Sequence, residues 1–202
     1  MDRESLEVDV LYVGAGPATL ASALHLSQEV KRLGLDQPSI LVIEKAAEIG
    51  DHMLSGAVMN PKAIQELIPD FIEQGFPTEY ICDKDMTYFF SPKRKLRSPI
   101  NPPFFKKKGY HVISLSNVAK WLASRCEEAG IDIYPGFAGD KLLTKDGHVL
   151  GVRTGDMGVS KEGRAKDTFQ PGMDILAKVT VLGEGVRGTL TKQLLEEFDL
   201  HG

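Results

Sequence analysis

The sequence predicts an α/β fold built on a parallel sheet, and two stretches carry that prediction. Val8 to Val13 is a run of β-formers that ends in Gly14-Ala15-Gly16, and an apolar helix pattern begins at once. Much later, Val179-Thr180-Val181-Leu182 ends in Gly183-Glu184-Gly185 and is again followed by a helical pattern. A strand that stops at glycines before a helix is the layout of a dinucleotide-binding turn. The first glycine lets the chain reverse, the second lets backbone approach a pyrophosphate, and the helix N-terminus offers unpaired N–H groups to the anion. Between the two stretches strands and helices alternate, as in units that lay helices over a parallel sheet.

The first turn opens a βαβ pattern. Ala18 to Leu33 reads as a helix with Leu20, Ala21, Leu24 and Val30 on one side. Ile40-Leu41-Val42-Ile43 is the next strand, with Glu44 at its tip. A carboxylate there is placed to accept hydrogen bonds from an adenosine ribose. Thr19 stands at the third glycine position, so the motif is weak alone; the strand before it, the helix after it and Glu44 restore it. The alternative reading is a glycine turn in an ordinary βαβ unit, with Glu44 a solvated strand end.

Lys45 to Val58 has no clear period, and Ser55, Gly56 and Ala57 are small enough to let backbone approach something flat. Asn60-Pro61 starts a helix, Asn60 as N-cap and Pro61 at its first position, with Ala63, Ile64, Leu67 and Ile68 inward and Pro69 as its stop. Met86 to Phe90 reads as a strand, Ser91 to Arg94 as a turn, and Lys95-Leu96-Arg97 as a return. In Pro99 to Gly109 prolines exclude regular central strands. Phe104 and Phe105 beside Lys106, Lys107 and Lys108 suit an anionic membrane surface; the alternative is a covered loop with solvated lysines.

Tyr110 to Ser114 is a strand, Ser116 caps a helix to about Ala129, and Ile131 to Tyr134 is the next strand, a second unit on the same sheet. Lys141 to Thr144 and His148 to Arg153 flank Asp146-Gly147, a strong hairpin signal. Gly155 to Gly172 is polar and reads as an exposed loop. A strand from Asp174 to Leu182 and a helix from about Arg187 to Phe198 close the pattern.

Bulk properties narrow the function. The chain has 202 residues and a net charge of −4, so nothing points to a nucleic-acid partner. Cys82 and Cys126, its two cysteines, form no C-x-x-C pair, and neither a zinc site nor an iron–sulfur cluster is available from them. No apolar run approaches the ~20 residues that span a bilayer. The acidic start enters the first strand at once, the pattern of neither a secretion signal nor a transit peptide.

The βαβ start, the middle β-meander and the late strand ending at glycines fit a glutathione-reductase-like FAD-binding domain, a Rossmann-type parallel sheet with an antiparallel β-meander packed against it. Residues 1–202 read as one such domain in partial form, with 75–115 an inserted subdomain.

More particular words point to one family. The runs Glu44-Lys45-Ala46-Ala47-Glu48-Ile49-Gly50, Leu54-Ser55-Gly56-Ala57, Tyr134-Pro135-Gly136-Phe137-Ala138 and Thr154-Gly155-Asp156-Met157-Gly158 stand with the first motif and with Phe169 to Met173 and Leu190 to Leu194. Together they resemble the N-terminal part of the electron transfer flavoprotein-ubiquinone oxidoreductases. The resemblance implies non-covalent FAD, electrons taken from reduced electron transfer flavoprotein and passed to ubiquinone, and a seat on one face of a membrane. That face is the cytoplasmic side of a bacterial inner membrane, or the mitochondrial inner membrane in a eukaryote.

Carried over by residue, Gly14, Ala15, Gly16, Pro17, Ala18 and Thr19 lie at the FAD pyrophosphate, and Glu44, next to Lys45, holds the ribose. Leu54, Ser55 and Gly56 run past the isoalloxazine ring, Ala138 touches the adenine side through its backbone, and Gly183, Glu184 and Gly185 lie near the dinucleotide. Ile49 to Asp70 corresponds to the part that dips toward lipid. Thr19 departs from the family's glycine: either the helix sits further out, or the hydroxyl reaches the pyrophosphate.

The family's proteins are longer than this chain, and the 4Fe–4S cysteines, most of the quinone site and a second flavin-contacting segment lie in the extra length. FAD binding by this chain alone is therefore expected to be weak. No acid–base residue is assigned, and His52 reads as structural or exposed. The rivals are another flavin-dependent reductase or monooxygenase, and a non-catalytic fragment that holds no flavin.

Overall fold

The computed structural model of the chain describes residues 3–54, 56–159 and 164–200. The fold divides into two compact units, Met1–His52 with Ala119–Gly202, and Met53–Val118. The chain opens with β1 (Ser5–Val13), α1 (Pro17–Arg32) and β2 (Ile40–Glu44). It runs through β3 (Ala57–Met59), α2 (Lys62–Leu67), β4 (Tyr80–Ile81), β5 (Tyr88–Ser91), β6 (Arg94–Arg97), β7 (His111–Ile113) and α3 (Leu115–Glu128). It ends with β8 (Asp132–Pro135), β9 (Gly139–Lys145), β10 (His148–Thr154), β11 (Met157–Val159), β12 (Ala165–Gln170), β13 (Asp174–Leu182) and α4 (Thr189–Glu197).

The first unit is built on a six-stranded sheet in the order β8-β2-β1-β13-β10-β9. The four strands β8, β2, β1 and β13 run parallel, and β10 and β9 extend the sheet antiparallel from β13. The α/β class and the mixture of parallel and antiparallel strands are those expected. Ile40, Leu41, Val42 and Ile43 are all buried, which is why this strand reads as an unbroken apolar run rather than an alternating one. Leu11, Val13, Leu41, Ile43, Leu142, Val152, Ile175 and Leu190 form a core cluster. In the helices Leu20, Ala23 and Leu24 of α1 and Ala119, Leu122 and Cys126 of α3 are buried. The Cys126 thiol donates to the Leu20 carbonyl at 3.3 Å, tying α3 to α1. Burial pushes that thiol up to about 12, aided by the Glu127 charge, so it is an inert packing group.

The Asp146-Gly147 turn is as expected, both residues taking positive φ between β9 and β10. Three readings need correction. The polar excursion contains an antiparallel ribbon, β11 with β12, where a loop was expected; residues 160–163 lie outside the described residues. The strand His111–Ile113 does not join the large sheet, because it pairs with β3 and β4. The β7-α3-β8 run therefore links two sheets. Finally, Ser116 lies inside α3, and the helix start is served by Ser114, whose hydroxyl accepts the Asn117 N–H at 3.4 Å.

In the second unit, which holds the three-stranded sheet β3-β7-β4, Ile64, Ile68, Phe71, Phe76 and Ile113 are buried, and the Phe71 and Phe76 rings meet edge to face with centroids 5.2 Å apart. The Asn60 side chain accepts the Lys62 N–H at 3.1 Å, but the N-cap of α2 is Pro61 rather than Asn60, and the helix starts at Lys62, one residue later than read. His111 is buried beside the Phe71 and Phe76 rings, with Nδ1 2.8 Å from the Thr78 hydroxyl, and burial lowers its pKa. The β5-β6 hairpin is the opposite case: Phe89, Phe90 and Leu96 are all exposed, as are Ile100, Phe104 and Phe105 beyond it.

Candidate dinucleotide site

The parallel pairing of β1 with β13 sets the site. Val13 stands opposite Leu182, so the turn after each strand emerges beside the other. With β2 on one flank of β1 and β13 on the other, this is the switch point of the sheet, where crevices for ligands open in such folds. The Gly183 N–H donates to the Val13 carbonyl at 2.8 Å, and the Gly14 N–H to the Ile43 carbonyl at 2.7 Å. Gly14 has a φ of +96°, and a Cβ on it would lie 2.5 Å from the Gly183 oxygen. The first glycine is thus required twice, by its dihedral and by the close approach of the second turn.

Ala15 is fully buried, and its N–H donates to Glu44 Oε2 at 2.8 Å. The other oxygen, Oε1, accepts the Ala46 N–H at 2.9 Å. The strand-end carboxylate is therefore held rigidly by two backbone donors. A carboxylate oxygen accepts two bonds, so capacity for ribose hydroxyls remains. Lys45, next to it, is exposed. The loop after β2 is fastened in turn to the loop after β8, where the Gly136 N–H donates to the Ala46 carbonyl at 2.7 Å. Ala138, two residues on, is exposed, and its carbonyl accepts the Gly155 N–H at 2.8 Å.

Gly16 is the N-cap of α1 and offers no side-chain cap. A Cβ built there meets nothing within 4 Å, so the space over it is open. Pro17 begins the helix and has no N–H to satisfy. The first intrahelical bond is Leu20 N–H to the Gly16 carbonyl at 2.9 Å, which leaves the Ala18 and Thr19 N–H groups as helix-start donors. The first turn of α1 carries no acidic residue. An open glycine, helix-start N–H groups and the positive end of a 16-residue helix are features that can receive an anion.

The second turn is arranged differently. Glu184 turns its carboxylate onto the start of α4, accepting the Leu190 N–H at 3.1 Å, the Thr191 N–H at 2.8 Å and the Thr191 hydroxyl at 2.9 Å. Gly185 takes a φ of +75° and opens a short 3-10 turn through Arg187, with the Val186 side chain wholly exposed.

The first unit therefore brings together Gly14 to Thr19, Glu44, Lys45, Gly183 to Gly185 and, through Gly136, the segment holding Ala138. Leu54, which is exposed, and Gly56 belong to the second unit, and Ser55 lies outside the described residues. Sequence reading missed the capping role of Glu184 and the fastening of Ala46 to Gly136. Among the described residues no cluster of His, Cys, Asp and Glu is placed to hold a metal ion.

This fold is also found in solved structures of flavin-dependent enzymes. It matches the flavin-dependent monooxygenase PieE, solved with FAD and substrate, at a TM-score of 0.60 and 19% identity, over 94% of this chain and 32% of that one. The myxobacterial chondrochloren halogenase CndH, a variant of FAD-dependent halogenases, matches at 0.59 and 15% identity over 93% and 39%. A geranylgeranyl bacteriochlorophyll reductase-like protein of Thermoplasma acidophilum matches at 0.58 and 19% identity over 90% and 40%. At such identities the likeness shows the fold.

Sequence relatives go further. The mitochondrial electron transfer flavoprotein-ubiquinone oxidoreductase of Dictyostelium discoideum is 44% identical over 199 residues, 98% of this chain and 32% of its own length. A probable enzyme of that name from Acinetobacter baylyi is 42% identical, and one from Pseudomonas aeruginosa 41%, each over 99% of this chain and 36% and 37% of their own lengths. No protein-family model matches the chain. By descent the chain is homologous to the N-terminal part of the electron transfer flavoprotein-ubiquinone oxidoreductases, and it spans about a third of the length of the curated relatives it matches.

Proposed function

We propose that the chain is the FAD-binding part of an oxidoreductase that takes electrons from reduced electron transfer flavoprotein and delivers them to ubiquinone. The observation that carries this reading is the pair of glycine turns packed against each other at the ends of β1 and β13, beside the open start of α1 and the fixed carboxylate of Glu44. The relatives' names support the choice of reaction. FAD, when bound, supplies the redox chemistry itself; the protein's share is position, charge and exclusion of water. Gly16, Pro17 and Ala18 would lie along the diphosphate, with Ala15 and Thr19 behind them. Glu44, beside Lys45, would hold the ribose, and the Ala138 backbone would meet the adenine. Leu54, Ser55 and Gly56 of the second unit would pass the isoalloxazine ring, and Gly183, Glu184 and Gly185 would close the second turn. The 4Fe–4S cluster is assigned only to longer relatives, since Cys82 and the buried Cys126 do not supply its four thiolates.

In this reading the chain is one FAD-binding domain with an inserted subdomain, and it works peripherally at an inner membrane, bacterial or mitochondrial. Among the described residues no helix is long and apolar enough to cross a membrane. The exposed Phe104 and Phe105, flanked by three lysines, support a surface seat instead.

Flavin titration of the purified chain, followed by anaerobic mixing with reduced electron transfer flavoprotein, tests the reading. The expected result is a visible flavin spectrum that bleaches on mixing. Bleaching by a nicotinamide cofactor alone would move the chain to another flavoenzyme class, and absence of any flavin uptake would sink the proposal. Co-sedimentation with anionic vesicles should fall when Phe104→Ser and Phe105→Ser are combined; unchanged binding removes these rings from the membrane contact.

A further inference from the structure

Thr19 is where the first turn departs from the three-glycine pattern, and it is buried. A glycine at this position ordinarily lets the helix pack closely on the sheet. A threonine must find room, and the room lies at Gly183. A Cβ built on Gly183 would overlap the Thr19 hydroxyl oxygen and come within 3.3 Å of both Thr19 Cβ and the Val13 carbonyl oxygen. Gly183, unlike Gly14, does not need glycine for its dihedral, because its φ lies outside the left-handed region. What keeps a side chain off Gly183 is chiefly its neighbour 164 positions earlier in the chain.

We propose that Thr19 is a positioning residue of the dinucleotide site and that Gly183 is its steric complement. The threonine side chain fills the volume that Gly183 leaves and wedges the second turn against α1. That sets the spacing at which Gly183 meets Gly14, and so the width of the crevice beside the open Gly16. The role in ligand binding rests on the flavin reading; the packing role does not. Volume, not the hydroxyl, does the work, so Thr19→Val, which keeps the shape, is the conservative variant.

The test compares wild type, Gly183→Ala, Thr19→Ala, the double variant and Thr19→Val by thermal unfolding without added flavin and by FAD titration. Gly183→Ala alone is expected to lower Tm by roughly 4 °C or more, as overpacking does in a chain of this size. It should also weaken FAD binding about tenfold or more. Adding Thr19→Ala should recover at least half of both losses, and Thr19→Val, which keeps the side-chain volume, should keep the wild-type Tm. If Gly183→Ala does not fold, recovery of a folded double variant is the same rescue. Additive losses in the double variant overturn the proposal. So does a Thr19→Val chain that keeps its Tm but loses FAD, which would assign the hydroxyl to the diphosphate. A wild-type chain that takes up no FAD while the Tm rescue holds would overturn the flavin reading and uphold the pairing.

Discussion

The two glycine turns have the same layout, a parallel strand running into Gly-x-Gly, yet they use their polar groups in opposite ways. After β1 the helix begins directly at Pro17 and its first donors are left unpaired by the chain. After β13 a 3-10 turn intervenes, and Glu184 reaches forward to take the first donors of α4. Each turn is served by a glutamate. Glu44 comes from a neighbouring strand and braces the first turn from outside, with acceptor capacity to spare. Glu184 comes from the turn itself and commits three bonds to α4 and its residues. The same sequence word thus yields a turn with open helix-start donors in one place and a self-capped turn in the other, and the difference lies in where the nearest carboxylate is directed.

The largest effect that can break this contrast is at the point where the turns touch. Gly14→Ala must hold a side chain at φ +96° and drive its Cβ into the Gly183 carbonyl. Strain at positive φ and overpacking together should cost about 3 kcal/mol. Chemical denaturation of the flavin-free chain measures it; a loss below about 0.5 kcal/mol would mean that the turns do not press on each other.

Glu44→Ala comes next. It leaves the N–H of the fully buried Ala15 without its acceptor, at a cost of about 1–3 kcal/mol, and it removes the proposed ribose partner. Both stability and FAD affinity should fall. Glu184→Ala should cost somewhat less, about 1–2 kcal/mol, the usual value of a lost helix cap. FAD affinity, in contrast, should be nearly untouched once the variant is folded. A Glu184→Ala chain as stable as wild type but deficient in FAD would reverse the roles given to the two glutamates.

How much of this was legible follows from what each feature depends on. β1, β2 and β13 announce themselves, since a run of β-formers that stops at glycines, or at Glu44 in β2, needs only its own residues to be read. The Asp146-Gly147 hairpin is equally local. The placement of His111–Ile113 is not, because its partners β3 and β4 have three and two residues and too little pattern to claim it. The β11-β12 ribbon was hidden by its composition: its polar and glycine-rich surroundings look like a loop until the strands pair. Gly14, Gly16 and Glu44 were found as site candidates because their offsets along the chain carry the motif. The contact of Thr19 with Gly183 carries no such offset, and neither does the turn of Glu184 toward an α4 whose start lay two residues later than the sequence pattern placed it.

Gly16→Ala should have the smallest effect on stability and is the sharpest test of which turn meets a ligand. Gly16 has an extended conformation that alanine adopts freely, with φ −73° and ψ 163°, and the new methyl meets nothing within 4 Å. Alanine is a poorer N-cap than glycine, so a change of about 0.5 kcal/mol is the most that the flavin-free chain should show. The space that the methyl enters is, however, the space over the free start of α1. A diphosphate held there by backbone donors within about 3 Å has no room for it. FAD affinity should therefore drop by roughly tenfold or more while the unfolding curve hardly moves. Equal FAD binding by Gly16→Ala and wild type would mean that the diphosphate does not pass over this glycine, and the two turns would then differ in hydrogen bonding but not in function.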